Sequence, residues 1–230
     1  MLHATIADQL IKVRARIKHA SEKANRSATS VQLVAVSKTK PINDIAAAYA
    51  AGQRHFGENY VQEGVDKIQS LTHLKDIKWH FIGELQSNKT RPVAEHFTWV
   101  QSLDRLRIAT RLNNQRPKHL PPLQVLIQLN IDNEPSKAGI SLAELPEFVS
   151  AVNQLPQLEL RGLMVIPMAN PAPDKQAVSF RHCQQVFEDL QQQHARIDTL
   201  SLGMSNDLEA AIQYGSTMVR VGTDIFGTRT

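Results

Sequence analysis

A single (β/α)8 barrel, an α/β fold, is what this sequence predicts, and three observations carry the prediction. Strand-like and helix-like segments alternate along nearly the whole chain. About eight short apolar stretches can be read as strands, and no hairpin signal joins any two of them. Strict alternation implies parallel strands, each followed by a crossover helix. Eight such units in 230 residues suit a closed barrel better than an open doubly wound sheet, which is the alternative.

The elements follow in order. Ile6, Leu10, Val13 and Ile17 recur at helical spacing, so residues 1–26 are expected to hold a helix docked on the barrel. Residues 31–37 form a β-branched run suited to a strand buried on both faces. Pro41 then opens a helix over 42–51, where its missing N–H costs nothing, and Gly52 closes it. Residues 54–57 read as a strand, and Asn59 as the cap of a helix over 60–70. Strands at 79–82 and 99–102 precede helices ending near His96 and Asn114. A proline-rich connection at 117–122 resembles a linker but is too short to mark a domain boundary. The strand at 124–131, the longest expected, runs into an exposed loop, and a helix over 142–153 follows. Then come a strand at 160–166, a loop at 167–173 and a long helix at 176–194. Strands at 199–202 and 217–221 flank a last helix at 207–214. One domain is expected over 1–230.

Composition narrows the function. The chain is 42% hydrophobic, 21% charged and only 5% aromatic, so aliphatic side chains must fill the core. The net charge of +4 is spread among acidic residues with no basic block, which gives a weak preference for anions and no nucleic-acid surface. The lone Cys183 excludes an internal disulfide and fits a reducing compartment. Its helical setting suits a small buried residue. No apolar run approaches the roughly 20 residues of a membrane span. The amphipathic start lacks a signal-peptide core, with a transit peptide as the alternative. The expectation is a cytoplasmic protein.

The ends of the strands carry the chemistry. Barrel enzymes work at the carboxyl ends of their strands. There this chain places Lys38, Gly57-Glu58-Asn59, Gly83 with Gln86-Ser87-Asn88, Asn130, the run 201–207 and Arg220-Val221-Gly222-Thr223. An ammonium on one face of a buried strand with Val34 and Val36 would be partly desolvated, which makes Lys38 a usable nucleophile. By itself it could equally be a solvated lysine at a strand end. Glycine turns after strands seven and eight suit a phosphate, assigned to Ser205, Gly222 and Thr223. Turn glycines with a Ser205 or Asn206 helix cap would look the same. Arg220 separates the readings. Between Val219 and Val221 it must point into the barrel, where a guanidinium needs an acceptor. An amine, a phosphate site and an inward arginine together fit pyridoxal 5′-phosphate (PLP), with a Schiff base at Lys38 and the ring nitrogen accepting from Arg220.

The segments LVAVSKTKP, HFGENYVQE, WHFIGELQSNK, LNIDNEPSKAGI, RGLMVIP, LSLGMSNDLEAAI and MVRVGTDIFG run in this order from residue 33 to 227. This set closely resembles the YggS/PROSC family of pyridoxal-phosphate homeostasis proteins, whose fold is like the barrel domain of alanine racemase. The resemblance implies Lys38 as the Schiff-base lysine and Arg220 at the pyridine nitrogen. It implies Ser205, Gly222 and Thr223 at the phosphate, with Asn59, Met164 and Ser201 as pocket walls. Lys137, in a flexible loop, is read as solvated, with a transient encounter with an aldehyde as the alternative.

Catalysis is not expected. Pyridoxal enzymes that break Cα bonds use the ring as an electron sink. Arg220 is donor-only and keeps the ring nitrogen neutral, which weakens that sink. Alanine racemase adds a second base from a further β domain, whereas this chain ends at Thr230, shortly after the last strand. The expectation is a monomeric carrier that buffers PLP or delivers it to apo-enzymes, with neither nucleic acid nor membrane as partner. The alternatives are a small amino-acid racemase using Lys38 and Tyr60, and a sugar-phosphate isomerase without pyridoxal. The nine histidines show no zinc-ligand spacing, and no nucleophile elbow, P-loop or dinucleotide fingerprint occurs.

Overall fold

Aliphatic and β-branched runs bounded by turns become strands here because each is covered on both faces, by helices outside and by the barrel lumen inside. The computed structural model describes residues 4–132, 134, 137–168 and 172–228. Its strands are β1 (Gln32–Val36), β2 (His55–Glu58), β3 (Lys78–Phe81), β4 (Trp99–Leu103), β5 (Leu123–Leu129), β6 (Leu158–Val165), β7 (Thr199–Ser201) and β8 (Met218–Val221). They are parallel and pair in sequence order. Pairing of β8 with β1, from Gln32 with Met218 to Ala35 with Val221, closes the barrel and removes the open-sheet alternative.

Helices α1 (Ile6–Lys23), α2 (Ile42–Ala50), α3 (Val61–Ser70), α4 (Thr90–His96), α5 (Leu106–Gln115), α6 (Leu145–Asn153), α7 (Pro173–Gln193), α8 (Leu208–Gln213) and α9 (Thr223–Phe226) surround it. Strand alternation divides the core in two. Leu33, Ala35, Val219 and Val221 join the larger cluster beneath the helices, whereas Val34, Trp99, Leu126, Met164 and Met218 pack together in the lumen. Cys183 is fully buried, and burial pushes its thiol up to about 12. That makes it a packing residue, not a nucleophile.

Helix α1 starts at a capping box between Thr5 and Asp8 and buries Leu10, Val13 and Ile17 against α2, α8 and α9. Most expected elements appear with ends shifted by a few residues, and three differences are informative. Asn59 does not cap α3, which begins at Val61 with Tyr60 at the N-cap and no side-chain bond there. The longest strand is β6, with 8 residues, not the segment at 124–131, whose strand β5 has 7. Helix α9, between β8 and the C-terminus, was not anticipated. Of the expected N-terminal segment and the loops at 132–139 and 167–173, residues 1–3, 133, 135–136 and 169–171 lie outside the described residues, as do 229–230.

Candidate cofactor-binding site

Closure brings together strands that are far apart in sequence. Met164 on β6 aligns with Ser201 on β7, Ser201 with Met218 on β8, Val34 on β1 with Arg220, and Val36 with Gly57 on β2. The eight predicted site residues therefore lie on five adjacent strands or in the loops directly after them.

Lys38 lies two residues beyond the end of β1, in a turn closed by the Lys40 N–H to the Ser37 carbonyl at 3.0 Å. It is half-buried. The expected continuation of the strand face to Lys38 is thus replaced by a braced turn. The Ser37 hydroxyl donates to Glu58 Oε1 at 2.5 Å, and the Ser37 carbonyl accepts from Lys67 Nζ at 2.7 Å. On the other side, the Thr39 N–H donates to Glu63 Oε1 at 2.6 Å. Thr39 holds φ at 62°, a conformation that costs a β-branched residue about 1–2 kcal/mol and needs such support. Lys67 joins the two carboxylates, reaching Glu58 at 2.9 Å and Glu63 at 2.6 Å. Burial raises the Glu58 carboxyl above its ordinary value, against the pull of Lys67 and Ser37. Sequence reading missed this cluster. Its one signal was the i,i+4 spacing of Glu63 and Lys67, which is common on solvated helices.

Arg220 is inward and 95% shielded, with 5% exposure. Its Nη1 donates to the Ser201 carbonyl at 2.9 Å and to Ser201 Oγ at 2.6 Å, and its Nη2 donates to the Val165 carbonyl at 3.0 Å. Nε–H and one Nη2–H keep no partner among the described residues. Burial pushes the guanidinium down to about 10, so it stays charged at neutral pH.

Asn59 follows β2 directly. Its Oδ1 is buried with no hydrogen-bond partner among the described residues, a costly state that a bound molecule would relieve. Gly83, after β3, makes room for it: a Cβ there would lie 2.3 Å from the Asn59 carbonyl oxygen. Met164 is buried in the lumen cluster.

The loop after β7 and the short helix after β8, both assigned to phosphate, are held by α1. Arg16 donates to the Ser205 carbonyl at 2.8 Å, to Glu209 Oε1 at 2.6 Å and to Asp224 Oδ2 at 2.5 Å. One guanidinium thus links the loop after β7 to α8 and to α9, the helix that follows β8. Ser205 is not the helix cap, because Asp207 occupies that position and accepts the Met204 N–H at 2.6 Å. Gly222 lies against the end of β1, where a Cβ would approach the Val36 carbonyl oxygen at 3.3 Å. Thr223 is exposed and opens α9. Lys137 is not simply solvated: its ammonium pairs with Glu134 at 2.5 Å, and Asn130 Nδ2 bonds the Glu134 and Lys137 carbonyls.

The sequence model of the alanine racemase N-terminal domain family matches residues 10–230. The Escherichia coli K12 protein named pyridoxal phosphate homeostasis protein is 58% identical over 97% of each chain. The protein of that name from Vibrio cholerae is 51% identical over 98% of this chain and 97% of its own. The chain belongs to this family. A solved member, PipY of Synechococcus elongatus PCC7942 with PLP bound, is 39% identical, with a TM-score of 0.85 over 97% of this chain and 100% of its own. Alanine racemase from Corynebacterium glutamicum, 16% identical with a TM-score of 0.67 over 95% of this chain and 61% of its own, shares the fold.

Proposed function

We propose that this chain is a carrier of pyridoxal 5′-phosphate, held reversibly at the C-terminal mouth of the barrel and given up to apo-enzymes that require it. The observation that carries the reading is Arg220, a buried, charged donor with N–H groups to spare, on the strand paired with the one that leads into Lys38. The remaining polar groups agree. The orphaned Asn59 Oδ1 is an acceptor that asks for a donor, and Ser205 sits on a loop that Arg16 ties to α9, the helix that Thr223 opens just after Gly222. The bound cofactor supplies an aldehyde that a lysine amine takes up reversibly, a ring nitrogen that accepts a hydrogen bond, and a phosphate anion.

Lys38 would anchor the aldehyde carbon, and Arg220 would donate to the ring nitrogen. Ser205, Gly222 and Thr223 would hold the phosphate by hydroxyl and backbone groups, with Asn59, Ser201 and Met164 as walls. Because Arg220 is donor-only and charged, it gives no proton acceptor at that nitrogen, which favours holding over Cα-bond cleavage. The names of the relatives support a homeostatic role. The proposal extends to a single unit over 1–230 that acts as a monomer in the cytoplasm. Among the described residues, no helix is long and apolar enough to cross a membrane.

The test loads the protein with PLP, removes free cofactor and adds an apo-enzyme that depends on PLP. Recovery of that enzyme's activity, with no sustained amino-acid racemisation by the loaded protein alone, is expected. Turnover comparable to an authentic racemase would overturn the carrier reading.

A further inference from the structure

The lumen of a (β/α)8 barrel is ordinarily filled by layers of branched apolar side chains. Here five polar side chains cross it in contact. Arg220 Nη1 donates to Ser201 Oγ at 2.6 Å, and the Ser201 hydroxyl donates to Gln101 Oε1 at 2.7 Å. Gln101 Nε2 lies 2.9 Å from His80 Nδ1, and His80 Nε2 lies 2.9 Å from His55 Nδ1. Ser201, Gln101 and His80 are fully buried, whereas His55, first on β2, is only partly so.

The direction of every link follows from the first two. A guanidinium cannot accept, so Ser201 Oγ accepts from Arg220, and its own proton goes to the Gln101 Oε1 that faces it. Gln101 then presents its NH2 group to His80, whose Nδ1 must accept. The His80 proton is therefore on Nε2 and points at His55 Nδ1. Trp99 stacks on His80 with centroids 5.2 Å apart and planes 15° apart, which fixes the ring plane. All donors point the same way, from the proposed cofactor mouth towards the opposite end of the barrel, and bonds in such a row strengthen one another.

We propose that Gln101 and His80 are positioning residues that hold Ser201, and through it the Arg220 guanidinium, in one orientation towards the cofactor ring. The inference rests on the reading of Arg220 as the ring-nitrogen donor. Its logic is asymmetry: a buried polar row is stable only when complete, and removing one member strands a donor on one side and an acceptor on the other. If the row were mere filling, an apolar side chain of similar volume at position 101 would leave Arg220 and its ligand undisturbed.

The experiment uses the wild type, Gln101→Met and Ser201→Ala, each with 15N-labelled histidine and then with PLP labelled at the ring nitrogen. In the unloaded wild type, His80 should give a single neutral tautomer, protonated at Nε2. In Gln101→Met that pattern should be lost. The ring-nitrogen resonance of bound PLP should move, and PLP should dissociate roughly tenfold faster. Combining the two substitutions should do little more than either alone. A wild-type His80 protonated at Nδ1 would overturn the chain even if Gln101→Met fails to fold. A folded Gln101→Met with an unchanged ring-nitrogen resonance and dissociation rate would overturn the positioning role. Failure of the wild type to bind PLP would sink the carrier reading instead, while the His80 tautomer still reports on the chain.

Discussion

Lys67 is 6% exposed and Glu58 is fully buried, and the two pair at 2.9 Å, with Glu63 also on the Lys67 ammonium at 2.6 Å. Removing one partner of such a pair leaves a buried charge uncompensated and costs about 3–5 kcal/mol. Lys67→Met is expected to lose that much in urea unfolding, and the combined Lys67→Met, Glu58→Leu protein to recover part of it. The cluster grips Ser37 and Thr39 on either side of Lys38, so the single variant should also slow uptake of PLP. The buried histidines supply a second prediction. His55 is pushed down to about 4, chiefly by burial and secondarily by Lys78, and His80 falls well below its ordinary value, chiefly by burial. Both stay neutral when folded but titrate near 6.5 when unfolded. Below that value the unfolded state binds more protons, so stability is complete above about pH 6.5 and declines as pH falls towards about 4. The slope is at most about 1.4 kcal/mol per pH unit for each histidine. Urea midpoints measured between those limits should fall steadily with acid, and a flat profile would refute the assignment.

At the scale of elements, α1 works as a strap. Its apolar stripe docks the helix, and Arg16 then fastens the loop after β7 to α9, the helix after β8. Arg16→Ala should cost about 1–2 kcal/mol, since the guanidinium is partly exposed and its bonds are charge-assisted. It should weaken binding of PLP more than binding of pyridoxal, which lacks the phosphate. Equal losses for the two ligands would mean that the strap only stabilises the fold. Gly83→Ala tests the opposite side, because the added Cβ has no room beside Asn59. A lower thermal midpoint and weaker PLP binding are expected. The dipeptides and loops that carry these devices were legible only in part. Ile6, Leu10, Val13 and Ile17 announced the helix by spacing, but nothing in the spacing of Arg16 named partners some 190 to 208 residues away. Asn59 looked like a cap because caps are local, whereas its actual neighbour, Gly83, comes from the next βα unit.

At the scale of the molecule, strict alternation and eight apolar runs sufficed for the barrel, since parallel strands need crossovers and eight of them close. Lys38 and Arg220 were readable because each breaks an apolar strand pattern at or near its carboxyl end. The lumen row of His55, His80 and Gln101 was not, and Ser201 was read only as a pocket wall. Each residue looks ordinary within its own strand, and only closure makes them a chain. The glutamate–lysine brace under Lys38 was hidden for the same reason. The central claim is that this chain binds PLP covalently at one lysine, at the mouth formed where β8 meets β1. It is tested most directly by incubating wild type and Lys38→Ala with PLP, desalting, recording visible absorption, and trapping the bond with borohydride for peptide mapping. A visible band in the wild type, loss of that band in Lys38→Ala, and a pyridoxyl label at residue 38 are expected. A wild type that retains no PLP, or a Lys38→Ala protein that keeps the band with its label on another lysine, would contradict it.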